Sequence, residues 1–114
     1  MVRKNSLGSS SNKIPDLTFY EQIYDSYNKA GSSFYTQTVI PIELAKLYKY
    51  IKFSVSNGSN ANFSIQLNSR SISNNTIYNI NQSIAINYKI TVSAISGASG
   101  GSTAYVNAYI YLTN

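Results

Sequence analysis

The strongest pattern along this chain is a period of two near its C-terminal end. Ile84, Ile86, Tyr88, Ile90, Val92 and Ala94 take alternate positions, with Ala85, Asn87, Lys89, Thr91 and Ser93 between them. After SGASGGS at 96–102, Ala104, Val106, Ala108, Ile110 and Leu112 alternate with Tyr105, Asn107, Tyr109 and Tyr111. Successive side chains of a strand point to opposite faces, so each run predicts a strand with one apolar face. The two read as a long C-terminal hairpin across a Gly/Ser loop. Phe63, Ile65 and Leu67 alternate with Asn62, Ser64, Gln66 and Asn68, and NGSN at 57–60 is a turn signal, so a second hairpin is predicted there.

Other segments are less regular. FYTQTVIPI at 34–42 predicts a strand, with Pro41 placing its end at an edge or bend. ELAKLYKYIKFSVS at 43–56 fits two periods. Leu44, Leu47, Tyr48 and Ile51 could share a helix face, whereas Leu47, Ile51, Phe53 and Val55 alternate with Tyr48, Tyr50, Lys52 and Ser54. A turn to about Lys46 and then a strand through Ser56 is the reading adopted. Residues 68–75 predict a loop, and Ile77, Tyr78 and Ile80 a short strand.

Residues 16–30 predict the one helix. Asp16 can cap it; Leu17, Tyr20, Ile23, Tyr24 and Tyr27 recur at helical spacing; Asp25 and Lys29 form an i,i+4 pair; Gly31 provides a stop. Residues 1–13 predict a flexible basic arm whose Arg3, Lys4 and Lys13 would reach a neighbouring subunit or nucleic acid. Six strands with one apolar face each must bury that face against a second sheet. The fold class is therefore all-β: a single β-sandwich over residues 14–114, jelly-roll or immunoglobulin-like, with an N-terminal arm and one short helix.

Composition sharpens this picture. The 114 residues include 19 Ser, 14 Asn, 14 Ile and 11 Tyr, a set of strand and turn formers. Cys, His and Trp are absent and Asp plus Glu number four, which leaves no thiol, imidazole or disulfide chemistry. Glu21 and Asp25 would share a helix face, but nothing beside them suits acid–base work, so they read as a solvated face. No acidic calcium loop and no phosphate-binding glycine loop occurs. The expectation is a protein that is not an enzyme and needs no cofactor. The four sequons, at Asn57, Asn62, Asn74 and Asn81, are close to the roughly three that 14 Asn and 26 Ser plus Thr give by chance, so they carry no signal.

Charge adds one asymmetry. The net charge is +5, yet from Ser54 to Asn114 the only charged residues are Arg70 and Lys89. Few charges need be desolvated when such a surface meets copies of itself. Weak nucleic-acid binding through Lys46, Lys49, Lys52 and the arm is a third-ranked reading. No export signal is visible, and apolar runs fall far short of the roughly 18 residues of a spanning helix. Synthesis in the cytoplasm without a signal peptide is expected.

The aromatic stripe stands out most. Tyr105, Tyr109 and Tyr111, with Asn107, point away from the apolar face of their strand, as Tyr48 and Tyr50 do on theirs. Tyrosine brings large area, few rotors and a hydroxyl, which suits contact surfaces. Three uses stay open: cover by the same chain, packing against another subunit, or stacking on sugar rings or bases.

The basic Ser-rich arm, the Ile40-Pro41-Ile42 strand end and the long Ile/Tyr/Asn/Ser strands closing on YIYLTN at 109–114 resemble small β-sandwich virion proteins of viruses infecting hot-acid archaea. That resemblance implies a capsid, vertex or tail component located in the virion, which self-associates as a homo-oligomer and with other virion proteins. A carbohydrate-binding or host-attachment module acting on surface glycans through the Tyr face is the alternative.

Overall fold

A computed structural model describes residues 14–28, 31–58, 60–95 and 102–114. The described residues form eight strands and one helical turn: β1 (Leu17–Asn28), β2 (Ser33–Ile40), α1 (Ile42–Ala45), β3 (Tyr50–Asn57), β4 (Ala61–Leu67), β5 (Arg70–Ile72), β6 (Ile77–Asn79), β7 (Ile86–Ala94) and β8 (Ser102–Thr113). They build two four-stranded sheets, ordered β1-β8-β3-β6 and β2-β7-β4-β5. Every described pairing is antiparallel. β1 pairs with β8, β2 with β7, β3 with β6 and β4 with β5, so the chain is one long ribbon folded back at its middle and rolled into a sandwich. This nested order is the jelly-roll connectivity.

The fold-back point is a two-residue turn. Leu67 pairs with Arg70, and Asn68 and Ser69 between them have φ of 48° and 68°. Two consecutive positive φ values define the type I′ turn, whose twist matches the flanking strands. The predicted loop at 68–75 therefore contains β5.

Both predicted hairpins are corrected by the sheet order. β3 and β4 lie in opposite sheets, as do β7 and β8, so their connections cross the sandwich instead of turning within a sheet. Alternation and turn residues mark where strands end. They carry no information on whether the next strand pairs with its predecessor or faces it. The arm at 1–13 and most of the SGASGGS segment lie outside the described residues.

The predicted helix at 16–30 is also corrected: Leu17–Asn28 is β1. Leu17, Phe19 and Ile23 pack inward while Tyr20, Gln22 and Tyr24 are exposed, so the true period is two. Glu21 disguised it by occupying an inward position, opposite Ala108. Aromatic and β-branched residues such as Phe19, Tyr20 and Ile23 favour a strand. Pairing with β8 along this whole segment overrides the helical spacing of its tyrosines.

The core follows the alternation. Ala104, Val106, Ala108, Ile110 and Leu112 of β8 are fully buried, facing Ile86, Tyr88, Ile90, Val92 and Ala94 of β7 in the opposite sheet. Ile51, Phe53 and Val55 of β3 and Ala61 and Ile65 of β4 complete it. Two expected inward residues fall outside: Ile84 precedes β7 and Leu47 follows α1, and both are exposed.

The α1 turn plugs one end of the sandwich. Ala45 and Tyr48 are buried there, and the Tyr48 hydroxyl donates to the Pro15 carbonyl at 2.8 Å. The Gln82 side chain donates to the carbonyls of Lys46 and Tyr48, at 3.2 and 2.6 Å, tying the turn down. Beyond β6, the exposed edge of β3 is finished by Asn75 and Asn74. The Asn75 amide donates to the Phe53 carbonyl at 2.8 Å, and the Asn74 side chain pairs with both backbone groups of Val55, at 2.9 and 2.8 Å. A carboxamide can replace a strand there because it carries the same donor and acceptor as a peptide.

Candidate functional site

The outer face of the β1-β8-β3-β6 sheet is where the sequence-predicted residues converge. Register fixes its rows: Thr18 lies beside Tyr111 and Lys52, Tyr20 beside Tyr109 and Ser54, Gln22 beside Asn107 and Ser56, and Tyr24 beside Tyr105. Tyr50 follows at the end of β3, next to Asn79 and Thr113. Six tyrosines thus share one sheet face. Tyr20, Tyr24 and Tyr109 are 52%, 56% and 44% exposed, and no described element lies over them.

Four expected members, Tyr105, Asn107, Tyr109 and Tyr111, sit together on β8, with Tyr50 two strands from β1. Tyr48 does not join them: it lies before β3, inside the sandwich end, where its ring fills space and its hydroxyl reaches Pro15. The register of β3 begins at Tyr50, so extending its alternation back to residue 48 placed that ring outside. Tyr20 and Tyr24 are the residues the sequence reading missed. Their inclusion follows once β1 is a strand beside β8. Of the same-chain covers left open, Leu17–Asn28 is instead part of the sheet.

Contacts organise the face into a fixed surface. Tyr20 and Tyr109 rings lie 4.9 Å apart between centroids, tilted at 46°, and Tyr109 and Tyr111 lie 6.4 Å apart at 19°. The Tyr20 hydroxyl and the Gln22 amide both donate to the Asn107 side-chain oxygen, at 2.9 and 3.0 Å. The Lys52 ammonium sits 5.5 Å from the Tyr111 ring centre, within cation–π range. Tyr105 lies across Gly58, and its ring occupies the space a Cβ there would need. Rings held by neighbours lose little rotamer freedom on binding, which favours contact.

Two concave features flank this surface. A hollow of about 200 Å³ opens on the Tyr face between Tyr50, Lys52, Ile77 and Tyr111. A groove of about 360 Å³ runs between the sheets, from Leu67, Arg70 and Ile72 on one side to Tyr78 and Asn81 on the other. The opposite outer face is of another kind: Gln37, Asn62, Ser64, Gln66, Asn87, Thr91 and Ser93, with Lys89 lying 4.3 Å from the Tyr35 ring centre.

Glu21 is the one described carboxylate with a structural partner network. It points between the sheets from β1, accepts from Thr38 Oγ1 at 3.1 Å on β2 and accepts from the Tyr88 hydroxyl on β7. Burial first, then the neighbouring carboxylate, holds the Tyr88 phenol well above its ordinary pKa. The expected solvated pair with Asp25 is therefore corrected for Glu21, whose partners are interior hydroxyls; the side chain of Asp25 and all of Lys29 lie outside the described residues. Among the described residues, no three His, Cys, Asp or Glu side chains approach closely enough to hold a metal ion. No helix among them is long and apolar enough to cross a membrane.

Comparison with protein-family models, with curated proteins and with solved structures finds no match to this chain. The functional reading rests on its own geometry.

Proposed function

We propose that this protein is a non-enzymatic structural subunit of a larger assembly, a virus particle in the setting its sequence texture suggests, and that it self-associates through the tyrosine face. The observation carrying this reading is a contiguous six-tyrosine sheet face on which Lys52 is the only charge among the described residues, with no described element covering it. Jelly rolls occur in shells, lectins and cupins alike, so the fold alone does not select among them. The face does. Three half-exposed rings each offer on the order of 100 Å² to a partner, worth roughly 2–3 kcal/mol apiece when buried. Aromatic enrichment with few charges is the signature of an interface centre.

The test is light scattering coupled to size exclusion over a concentration series. The wild-type mass should rise with concentration, and a Tyr20→Ser/Tyr109→Ser variant should stay monomeric while keeping its fold. A wild-type monomer at every concentration would end this reading.

The hollow beside Tyr111 favours a second reading, a saccharide-attachment module. Aromatic walls with a lysine at the rim suit a sugar ring and its hydroxyls. Saccharide-dependent quenching of tyrosine fluorescence, lost in Tyr111→Ala, would support it; silence across a broad glycan panel would remove it.

A further inference from the structure

We infer that the self-associating partner docks edge to edge, with β1 of one copy pairing antiparallel with β1 of a second copy across a two-fold axis. This inference rests on the self-association proposed above and places its contact at the β1 margin of the tyrosine face, where Tyr20 and Tyr24 lie. Its basis is an asymmetry between the two open sides of the sandwich. On one side the sheets end in β6 and β5, each three residues long, and Asn74 and Asn75 satisfy the β3 backbone beyond β6. Short strands and side-chain pairing are how sheets close an edge against further pairing. On the other side the sheets end in β1, twelve residues long, and β2, eight residues long, with no described element beyond them.

The open strands carry fewer guards than the closed side. β1 and β2 contain no proline and no lysine, and β2 has no charged residue. Glu21 of β1 is an inward charge of the kind that guards an edge, but Tyr88 and Thr38 already satisfy it within the same copy, and the register irregularity of β1 is confined to its far end, between Asp25 and Asn28.

Exposure gives a second, independent observation. Tyr24, Tyr20, Tyr35 and Val39, at 56%, 52%, 60% and 58%, are all on these two edge strands. Tyr105 and Tyr111, one strand further in, are half-buried. Four of the five most exposed large hydrophobic side chains among the described residues thus lie at the open edge; the fifth, Ile77 at 65%, is on β6 at the closed side.

A two-fold axis through that edge would join the two β1-β8-β3-β6 sheets into one of eight strands. It would set the Tyr20 and Tyr24 rings of one copy alongside those of the other. The same axis brings the two β2 strands face to face. Twelve strand residues span about 40 Å, and two packed sheets with their side chains are roughly 20 Å thick, which gives about 800 Å² per partner. That is the size of a standard stable interface.

The decisive experiment is amide hydrogen exchange of the full chain at low and high concentration, with light scattering on the same samples. Antiparallel pairing uses every second amide on each side of a strand. Amides of β1 bonded to β8 should exchange slowly at all concentrations, and the alternate β1 amides should slow only as the mass rises. Gln22→Lys, a charge on the edge strand, should abolish both the mass increase and the alternate protection; Gln66→Lys on β4 should leave both intact. An oligomer whose alternate β1 amides stay unprotected would overturn edge pairing while leaving self-association standing. A monomer at every concentration would overturn both.

Discussion

Replacing Tyr88 by Phe removes one oxygen and leaves the ring, which isolates the interior link between the sheets. Tyr88 is 2% exposed, its ring meets Phe53 edge-on at 5.2 Å, and its hydroxyl donates to the Glu21 carboxylate. A hydrogen bond to a charged group contributes about 1.5–3 kcal/mol. Thr38 remains as a donor to Glu21 at 3.1 Å, so the carboxylate keeps one partner. Tyr88→Phe should therefore destabilise the fold by about 2 kcal/mol, which for a domain of this size lowers Tm by roughly 8 °C. The pH dependence gives a second, sharper readout. Burial and Glu21 raise the native pKa of this phenol above its unfolded value near 10. The native state then holds the proton more tightly than the unfolded state. The resulting stability is fully present below about pH 10 and is lost as pH rises toward the native pKa, at about 1.4 kcal/mol per pH unit. Urea denaturation of wild type and Tyr88→Phe between pH 7 and 11 measures both effects. The wild-type advantage should hold constant to about pH 10 and shrink above it. Equal stability of the two proteins at pH 7, or an advantage that grows above pH 10, would refute the proposed link.

Three further substitutions test other parts of the account. Asn74→Ala leaves both backbone groups of Val55 without their side-chain partner and should cost about 1–3 kcal/mol by urea denaturation, whereas loss of an exposed loop residue would cost almost nothing. Gly58→Ala puts a Cβ where the Tyr105 ring lies; it should destabilise by about 1–3 kcal/mol, with most of that recovered in Gly58→Ala/Tyr105→Ala. Ile110→Ala, at a fully buried position of β8, should lose about 2–5 kcal/mol and bring the domain close to unfolding.

What the sequence disclosed, and what it concealed, divides by range. The alternation of β7 and β8 identified their buried faces almost residue by residue, because a pleated strand writes its two faces directly into the chain. Ile84 failed only because it stands before the first pairing of β7 at Ile86. Partner choice was not legible. The turn at 57–60 looks the same whether the next strand pairs or crosses, and the sheet order depends on contacts such as β1 with β8, whose paired residues are up to 95 positions apart. β1 itself was misread because Glu21 breaks its apolar alternation, and the reason Glu21 can sit inward, Tyr88, is 67 positions away.

The candidate surface followed the same division. Tyr105, Asn107, Tyr109 and Tyr111 were visible because they share one strand. Tyr20 and Tyr24 became visible only once β1 took its place beside them. Tyr48 was assigned outward by extending a period of two past the start of β3 into a turn. A local pattern predicts a face well inside an element and poorly at its boundary.

Self-association through the tyrosine face is the central claim, and the tyrosines themselves report on it most directly. Hydroxyl-radical oxidation read out residue by residue, on dilute and concentrated samples, measures which rings are covered. Tyr20 and Tyr24, on the pairing strand, should become protected as concentration rises, while the interior Tyr48 and Tyr88 stay protected throughout. Unchanged reactivity of Tyr20 and Tyr24 at every concentration would contradict the account.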